Sequence, residues 1–396
     1  MLLVISPQKN NYMHSSLSDL FVMKFSIEKS TFANGLQQVL SVVEQRAIMP
    51  ILGNVLLECG GDRVNFTAVN LDISIHCSAK ADVAADGKIT LPAKKLGAIV
   101  RSLPGNAVHV ELEGTRVKIS SDRSNFQIMG LPADDFPKAN GPDRSNGMTM
   151  KQSEMSKMLK SVSFAQSADD NRYILNGVYF CFEPGKLTFA ATDGRRLSLS
   201  SKAIPENANS AKGVIVPSRA VREVERLLGQ GDDVSFAFDG KQIVFSIAVK
   251  SDNRDGLTDD IKIISKTVEG NYPNFRQIIP QTTEARVKVD RQLMLECIQR
   301  VAIVASDQKN LVKLKFGSNC LEVSAESQEY GSANEKIAIV YDGRPVEIAF
   351  NYVFICDPLK VLPQDEVFFE FKDELSAGVF KTLEDFLYVV MPLRVG

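Results

Sequence analysis

The residue types that most often carry catalysis are sparse in this chain. Its three histidines are His14, His76 and His109, and the motifs GxxxxGKS/T, GxSxG and HExxH do not occur. Asp193 lies beside two arginines in ATDGRRLS, but an Asp-Gly pair between alternating apolar runs is typical of a tight turn. We therefore predict no catalytic residue and no enzymatic activity.

The cysteines indicate neither a metal centre nor a disulfide framework. There are six, without a CxxC pair: Cys59, Cys77, Cys181, Cys297, Cys320 and Cys356. Scattered cysteines of this kind are typical of reduced thiols, so a cytoplasmic location is expected. No metal or cofactor is predicted, because histidine is rare and no ligand pair has metal-binding spacing. No apolar run approaches the roughly 18 residues of a membrane span, so no membrane association is expected.

Lysines and arginines at helical spacing offer a different chemistry, the binding of phosphate. In SRAVREVERLLG an apolar stripe runs along one side and arginines along another. The stripe is Val221, Val224 and Leu228, and the arginines are Arg219, Arg222 and Arg226. Comparable pairs elsewhere are Lys94 with Arg101, Lys157 with Lys160, and Arg291 with Arg300. One such face is typical of a solvated helix, but its recurrence predicts a shared basic surface. The net charge of −2 then requires acidic surfaces elsewhere.

The elements that carry these cations are repeated along the chain. GKITLPAKKLGAIVRSLPGNAVHVEL is echoed by KGVIVPSRAVREVERLLGQGDDVSFAF, with Pro92 and Pro217 separated by 125 positions, and more weakly by PVEIAFNYVFICDPLKVLPQDEVFFEF. A strand followed by an amphipathic helix also begins three times, near Lys24, Met148 and Arg286. A hairpin follows each of these helices. The sequence thus predicts three units of about 125 residues.

The repeats define the domain organisation. We predict an N-terminal extension at 1–22, disordered or dispensable, and domains at 23–146, 147–273 and 274–396. Two aromatic-Pro pairs, in DDFPK and GNYPN, mark the linkers. The polar stretch KSDNRDGLTDD lengthens a hairpin loop of the second domain across 251–260. Each domain combines period-two strands with two one-faced helices, which is an α+β architecture.

Five stretches resemble the signature sequences of one family, in the family's order. They are PILGNVLLE, RYILNGVYF, TDGRRLS, VEGNYPNFRQIIP and YVVMPLR, within residues 23–396. This part of the chain is similar to the bacterial DNA sliding clamps, the beta subunits of DNA polymerase III. The resemblance implies a processivity factor built as a head-to-tail homodimer. Six repeated clamp-type domains would form a ring, with sheets outside and helices lining a central hole for double-stranded DNA.

The resemblance also implies residue roles at the hole and at the subunit junction. Family positions that touch DNA match Arg46, Arg101, Arg172 and Tyr173, and the helix faces add Lys157, Lys160, Arg219 and Arg222. A second aromatic residue common in the family is Ile174 here. The dimer interface positions match Phe126 and Ile128 in the first domain and Leu293 in the third.

A peptide-binding pocket is implied at the second and third domains. Its matching positions are Leu175, Thr192, Gly194, Arg195, Arg196, Leu197, Pro273, Ile278, Asn351, Phe354, Val389, Val390, Met391, Pro392, Leu393 and Arg394. Arg195 replaces a common histidine, and Gln277 stands where arginine is common. The implied partners use short Gln-, Leu- and Phe-containing motifs. They are the replicative DNA polymerase, the clamp loader, translesion polymerases, mismatch-repair proteins and ligase.

Two other classes of function compete with this interpretation. One is a scaffold that binds peptides but no DNA, which the recurrent basic helix faces disfavour. The other is an enzyme, which the missing catalytic motifs disfavour.

Overall fold

The computed structural model describes residues 23–44, 49–138, 140–143, 147–205, 213–250, 256–306 and 310–394. The predicted extension at 1–22 and Arg46 lie outside them. The described chain forms two compact units. The first comprises 23–70, 76–138 and 256–259, and the second comprises 71–75 and the remainder from 140 to 394.

The first unit contains two helices and most of nine strands. They are β1 (Lys24–Glu28), α1 (Lys29–Val39), β2 (Asn54–Gly60), β3 (Arg63–Val69), β4 (Ile73–Lys80), β5 (Asp82–Ala85), β6 (Gly87–Pro92), α2 (Ala93–Ser102), β7 (Ala107–Glu113), β8 (Arg116–Ser121) and β9 (Ser124–Met129). One sheet has the order β5-β1-β7-β8-β9, and another run has the order β6-β2-β3-β4. Phe32 of α1 packs between Phe25 and Phe66, with ring centroids 6.1 and 5.8 Å away.

The second unit begins with the elements of the second repeat. They are β10 (Met148–Lys151), α3 (Gln152–Val162), β11 (Gly177–Glu183), β12 (Lys186–Thr192), β13 (Arg196–Ala203), β14 (Val214–Pro217), α4 (Ser218–Leu227), β15 (Asp233–Phe238), β16 (Gln242–Ile247) and β17 (Ile261–Lys266). Strands β10-β15-β16-β17 are neighbours in that order. The predicted loop insertion falls between β16 and β17, and its residues 251–255 lie outside the described chain.

The third repeat completes this unit. Its elements are β18 (Ala285–Asp290), α5 (Arg291–Val301), β19 (Leu311–Gly317), β20 (Cys320–Ser327), β21 (Gly331–Ala338), β22 (Val346–Asn351), α6 (Tyr352–Val361), β23 (Glu366–Phe371), β24 (Gly378–Lys381) and β25 (Phe386–Val390). One sheet has the order β21-β20-β19-β22. The other joins the second and third repeats in the order β14-β11-β12-β13-β25-β24-β23-β18.

The order of elements repeats three times, as the sequence predicts. Each repeat runs strand, helix, a set of strands, helix and three strands, and the first repeat adds β5. The apolar alternation of the strands explains their packing. In β7, Val108, Val110 and Leu112 are buried while the residues between them are exposed or half-buried.

One predicted helix stripe needs correction. Helix α4 ends at Leu227, which is fully buried, and Leu228 lies one residue beyond it and is half-buried. The buried face therefore runs through Ala220, Val221, Val224 and Leu227. This spacing of one, three and three keeps the residues on one side of a helix of 3.6 residues per turn.

Candidate nucleic-acid and peptide-binding surfaces

The α-helices concentrate positive charge. Across the six helices of the described residues there are twelve Lys or Arg and five Asp or Glu. The whole chain has a net charge of −2, so the excess of acidic residues lies outside the helices. Charge is therefore segregated by element type, which the overall composition does not reveal.

The predicted DNA-binding cations on α2, α3 and α4 differ in how they are engaged. Arg101, Lys160 and Arg222 are exposed, and none makes an ion pair with a described residue. Lys157 is paired with Glu384, and Arg219 is half-buried. The first three are therefore available to an incoming phosphate, whereas Lys157 would have to exchange partners.

A half-buried carboxylate joins two of these helices. Ser163, which follows α3, donates a hydrogen bond to Glu225 of α4 at 2.9 Å. Burial raises the pKa of the Glu225 carboxyl, and Lys160 and Arg222 act in the opposite direction. Both cations are thus close enough to Glu225 to affect it electrostatically, so α3 and α4 bring positive charge to a common area.

The third repeat offers less free positive charge on its helices. Arg291 donates to the carbonyls of Gln364 and Leu359 at 2.8 and 2.7 Å. Arg300 makes two hydrogen bonds to Glu335, at 3.0 and 2.6 Å. Both arginines of α5 are therefore engaged by groups of their own domain, which the helical spacing alone did not indicate.

Arg172 and Tyr173 lie in the turn that precedes β11. Arg172 donates to the carbonyl of Asp193 at 3.0 Å, and its guanidinium lies 3.6 Å from the Asp169 carboxylate. Tyr173 is 58% exposed. An exposed aromatic ring next to a cation is suited to contact with nucleic acid, and the neighbouring Ile174 is half-buried.

Strands β9 and β21 are two of the strands that lie at the ends of their sheets within the described chain. β9 pairs only with β8, and β21 pairs only with β20. Phe126 of β9 is 37% exposed, Ile128 is half-buried, and Leu293 in the first turn of α5 is 42% exposed. All three predicted interface residues therefore retain surface that a second chain could cover, and Phe126 is not a core residue.

The C-terminal segment leaves the sheet beside the turn that connects β12 to β13. Strands β13 and β25 are antiparallel, with Arg196 opposite Val390. Beyond that pair, the Met391 amide donates to the Arg195 carbonyl at 3.0 Å, and the Leu393 amide donates to the Ala349 carbonyl at 2.7 Å. The segment is thus fixed as an extended strip between the turn and β22.

The predicted pocket residues separate into a surface set and a supporting set. The surface set is exposed or half-buried: Leu175, Gly194, Arg195, Pro273, Ile278, Asn351, Phe354, Met391, Pro392, Leu393 and Arg394. The supporting set is buried: Thr192, Leu197, Val389 and Val390. The residues of the supporting set therefore do not themselves present an accessible surface. Strand alternation and sheet packing direct the second set into the core.

A surface cavity of about 420 Å³ lies at the edge of this region. It is lined by Gln277, Ile278, Pro280, Thr282, Thr283, Lys372, Leu375, Ser376, Ala377 and Met391. Ile278 and Met391 belong to the predicted pocket, and Gln277 is one of the departures from the family pattern. Sequence reasoning missed Lys372 and Leu375, because they lie in an ordinary loop between β23 and β24.

Arg196 is also placed differently from the prediction. Its side chain is only 10% exposed, so little of it is accessible to a ligand. Among the described residues there is no group of three His, Cys, Asp or Glu suited to a metal ion, and no described helix is long and apolar enough to cross a membrane.

Comparison with known proteins identifies the repeated architecture. Residues 23–140, 149–274 and 276–394 match the N-terminal, central and C-terminal domains of the DNA polymerase III beta subunit, respectively. A beta sliding clamp from Caulobacter vibrioides is 33% identical over 383 residues, covering 94% of this chain and 100% of that protein.

Solved structures agree with these matches. The sliding clamp from Pseudomonas aeruginosa bound to griselimycin is 30% identical with a TM-score of 0.87, covering 94% of this chain and 100% of that chain. The Bartonella birtlesii clamp bound to griselimycin, also 30% identical, has a TM-score of 0.88 at the same coverage.

Three clamp domains with these helices and strands define a protein of the clamp class. The chain belongs to the family of DNA polymerase III beta subunits, and its role is that of a sliding clamp, a processivity factor in DNA replication. The family resemblance, the α+β clamp fold and the sliding-clamp function predicted from sequence are thereby confirmed. The matched relatives are non-catalytic accessory proteins.

Proposed function

We propose that two copies of this chain associate head to tail into a ring around double-stranded DNA. The observation behind this proposal is the segregation of positive charge onto the helices. The family supports it too, because its clamps are head-to-tail dimer rings. Helices that face the hole would present cations to the phosphate backbone, which gives binding without sequence preference. The acidic excess on the outside would leave the net charge near zero.

The exposed cations supply the DNA contacts. They are Arg101, Arg172, Lys160 and Arg222, with Tyr173 as a stacking residue and with Lys157 and Arg219 as further members. Arg46 belongs to this set through the family resemblance alone. Because DNA would be held by enclosure, no single contact needs to be tight.

The open strand edges supply the subunit junction. β9 of one copy would pair with β21 of the other, which satisfies backbone groups that are otherwise open to solvent. Phe126 and Ile128 would be covered there, with Leu293 nearby. A junction between two different edges is heterologous, and it gives a closed ring when the rotation closes after two copies.

The C-terminal strip and the surface set around it form the peptide-binding groove. Met391 and Ile278 are 45% and 39% exposed, so a peptide can bury apolar side chains against them. The occupants we propose are Gln-, Leu- and Phe-containing segments of the replicative polymerase, the clamp loader, translesion polymerases, mismatch-repair proteins and ligase. Griselimycin bound to the related clamps shows that such proteins accept a ligand.

We propose that this protein acts in the cytoplasm, uses no cofactor and catalyses no reaction. A separate machine would open the ring and load it, and the sequence contains no nucleotide-binding loop of its own. The domains we propose are 23–146, 147–273 and 274–396, preceded by a dispensable extension at 1–22.

Charge reversal tests the role of the helices. We expect Lys160→Glu and Arg222→Glu each to shorten the products of a clamp-dependent polymerase, and the defect to grow with salt concentration. Lys186→Glu is the matched control, because Lys186 is also exposed but lies on β12. Equal defects in all three variants, or no defect in any of them, would mean that these helix cations do not contact DNA.

A further inference from the structure

Arg196 uses its whole guanidinium within the protein. Its Nε donates to Asp193 Oδ2 at 2.9 Å, Nη1 donates to Asp357 Oδ2 at 2.7 Å, and Nη2 donates to the Phe164 carbonyl at 2.7 Å. The guanidinium also lies over the Phe354 ring, 4.4 Å from its centroid. A planar group with this many partners has little freedom to turn toward a ligand.

The partners come from two domains. Phe164 and Asp193 belong to the matched central domain, whereas Phe354 and Asp357 belong to the matched C-terminal domain. Arg196 is therefore a bridge between the domains, at the end of the strand pair that joins their sheets. The Asp193 carboxylate also accepts the backbone amides of Arg195 and Arg196, at 2.8 and 3.1 Å, so the bridge fixes the turn as well.

Helix α6, which carries Phe354 and Asp357, is also held by a side chain of β25. Pro358 lies inside α6 and has no N–H, so the Phe354 carbonyl lacks its usual donor within the helix. The hydroxyl of fully buried Tyr388 donates to that carbonyl at 2.7 Å. The start of α6, with Asn351 as its N-cap and Phe354 in its first turn, is thus positioned by Tyr388 and Arg196.

The two walls of the groove meet at this bridge. One wall is the turn fixed by Asp193, whose Arg195 carbonyl accepts the Met391 amide. The other wall is the start of α6, fixed through Asp357. A change in the bridge would alter the separation of the walls without removing any group that a peptide touches.

We propose that Arg196 and Asp357 are positioning residues that hold the central and C-terminal domains at the spacing the peptide requires, without contacting the peptide. This inference rests on the proposed function, since it assumes that peptides bind beside the C-terminal strip. It assigns a role to Asp357, which lies outside the predicted pocket. It also gives Arg196 a role other than direct contact with the peptide.

A double-mutant cycle tests the inference. The variants are Arg196→Lys, which keeps the charge but loses the forked geometry, Asp357→Asn, which is nearly isosteric, and the pair together. The probe is a labelled polymerase-derived peptide, in its natural form and in a form with its carboxylates converted to amides. Fluorescence polarisation gives the Kd for each combination in full-length dimer.

We expect each single variant to weaken binding about tenfold, a size typical of coupling between contacting residues. The double variant should lose no more affinity than the single variant that binds the peptide less tightly. The natural and amidated peptides should show the same losses. Arg63→Lys is the matched control, because Arg63 pairs with Asp259 at 2.6 Å in the other unit and is 41% exposed. It should bind normally.

The outcomes separate the alternatives. A loss in Arg196→Lys that disappears with the amidated peptide would mean direct contact with a peptide carboxylate, and would overturn the inference. Unchanged affinity in folded Asp357→Asn, with or without a lower melting temperature, would also overturn it. If Arg196→Lys does not fold, the peptide affinity of Asp357→Asn decides the test by itself. If the natural protein binds neither peptide, the proposed groove itself is wrong.

Discussion

Arg195 and Arg196 are neighbours with opposite environments. Arg195 is exposed, whereas Arg196 is 10% exposed and bonded to Asp357, which lies 161 positions further along the chain. The sequence pair RR contains no sign of this difference, because local pattern cannot identify a partner so distant. The same limit explains why Lys157 and Arg300 were predicted as free helix cations although each is paired with a distant carboxylate.

Glu225 gives a pH-dependent prediction. Burial raises the pKa of its carboxyl, so the folded protein holds the proton more tightly than the unfolded chain does. The free energy of unfolding therefore falls as pH rises above the ordinary Glu pKa of about 4.3. We expect Glu225→Gln to raise the Tm at pH 7 and to lose this effect toward pH 4.

Thermal melts followed by circular dichroism measure this difference. Glu326→Gln is the control, because Glu326 is exposed on β20, and it should leave the Tm unchanged. A lower Tm for Glu225→Gln at pH 7, or a larger gain at pH 4, would show that the Glu225 charge stabilises α4.

At the scale of elements, strand and helix order follow closely from the sequence. Period-two alternation and recurrent Pro-to-Leu passages predicted every strand–helix pair of the three repeats, because each element has one apolar face. The burial of individual side chains was less predictable. Val389 and Val390 are adjacent and both buried, since one faces each side of a sheet that is covered on both faces.

The edge strand β9 yields a prediction about assembly. Ile128→Asp would place an unpaired charge in the covered junction, so the dimer should dissociate into monomers at sub-micromolar concentration. Leu383→Asp is the control, since Leu383 is 87% exposed and belongs to no proposed surface. Light scattering measures the mass of each. A fully dimeric Ile128→Asp protein would mean that β9 is not at the junction.

The C-terminal strip yields a prediction about binding. Deleting residues 391–396 removes Met391 and the Leu393 amide that bonds to Ala349. Peptide side chains that bury against the strip contribute roughly 1.5–3 kcal/mol each when fully desolvated. We expect peptide affinity to fall on the order of a hundredfold, equivalent to about 2.7 kcal/mol, while the dimer remains intact.

Fluorescence polarisation and a sizing run on the same sample test this. Unchanged affinity in a dimeric truncation would remove the strip from the groove. Dissociation into monomers would instead make the strip a structural element of the subunit.

At the scale of the whole molecule, the threefold repeat is the main basis for predicting a clamp. A repeat can be recognised from one sequence because each copy must bury the same faces. Assembly cannot be recognised in this way, because the proposed junction pairs two different edges, β9 and β21, of separate chains. The segregation of charge is intermediate in predictability, because it can be recognised once the helices have been located in the sequence.

The extension at 1–22 has no counterpart in the repeats. We expect a chain that begins at Met23 to dimerise and load onto DNA as well as the full chain, because the core of the first repeat begins with Met23 and Phe25. Light scattering and loading onto nicked circular plasmid check these two properties, and differential scanning calorimetry compares the Tm of the two chains. A marked loss of Tm on truncation would mean that the extension packs against the folded protein.

Enclosure of DNA is the central claim, and retention on circular against linear DNA tests it most directly. The dimer is loaded onto nicked circular plasmid, washed in high salt to weaken phosphate contacts, and then followed by gel filtration before and after the plasmid is cut once. We predict that the protein stays on the circle and slides off the linear form. Equal retention on both forms, or loss from both in high salt, would contradict a closed ring.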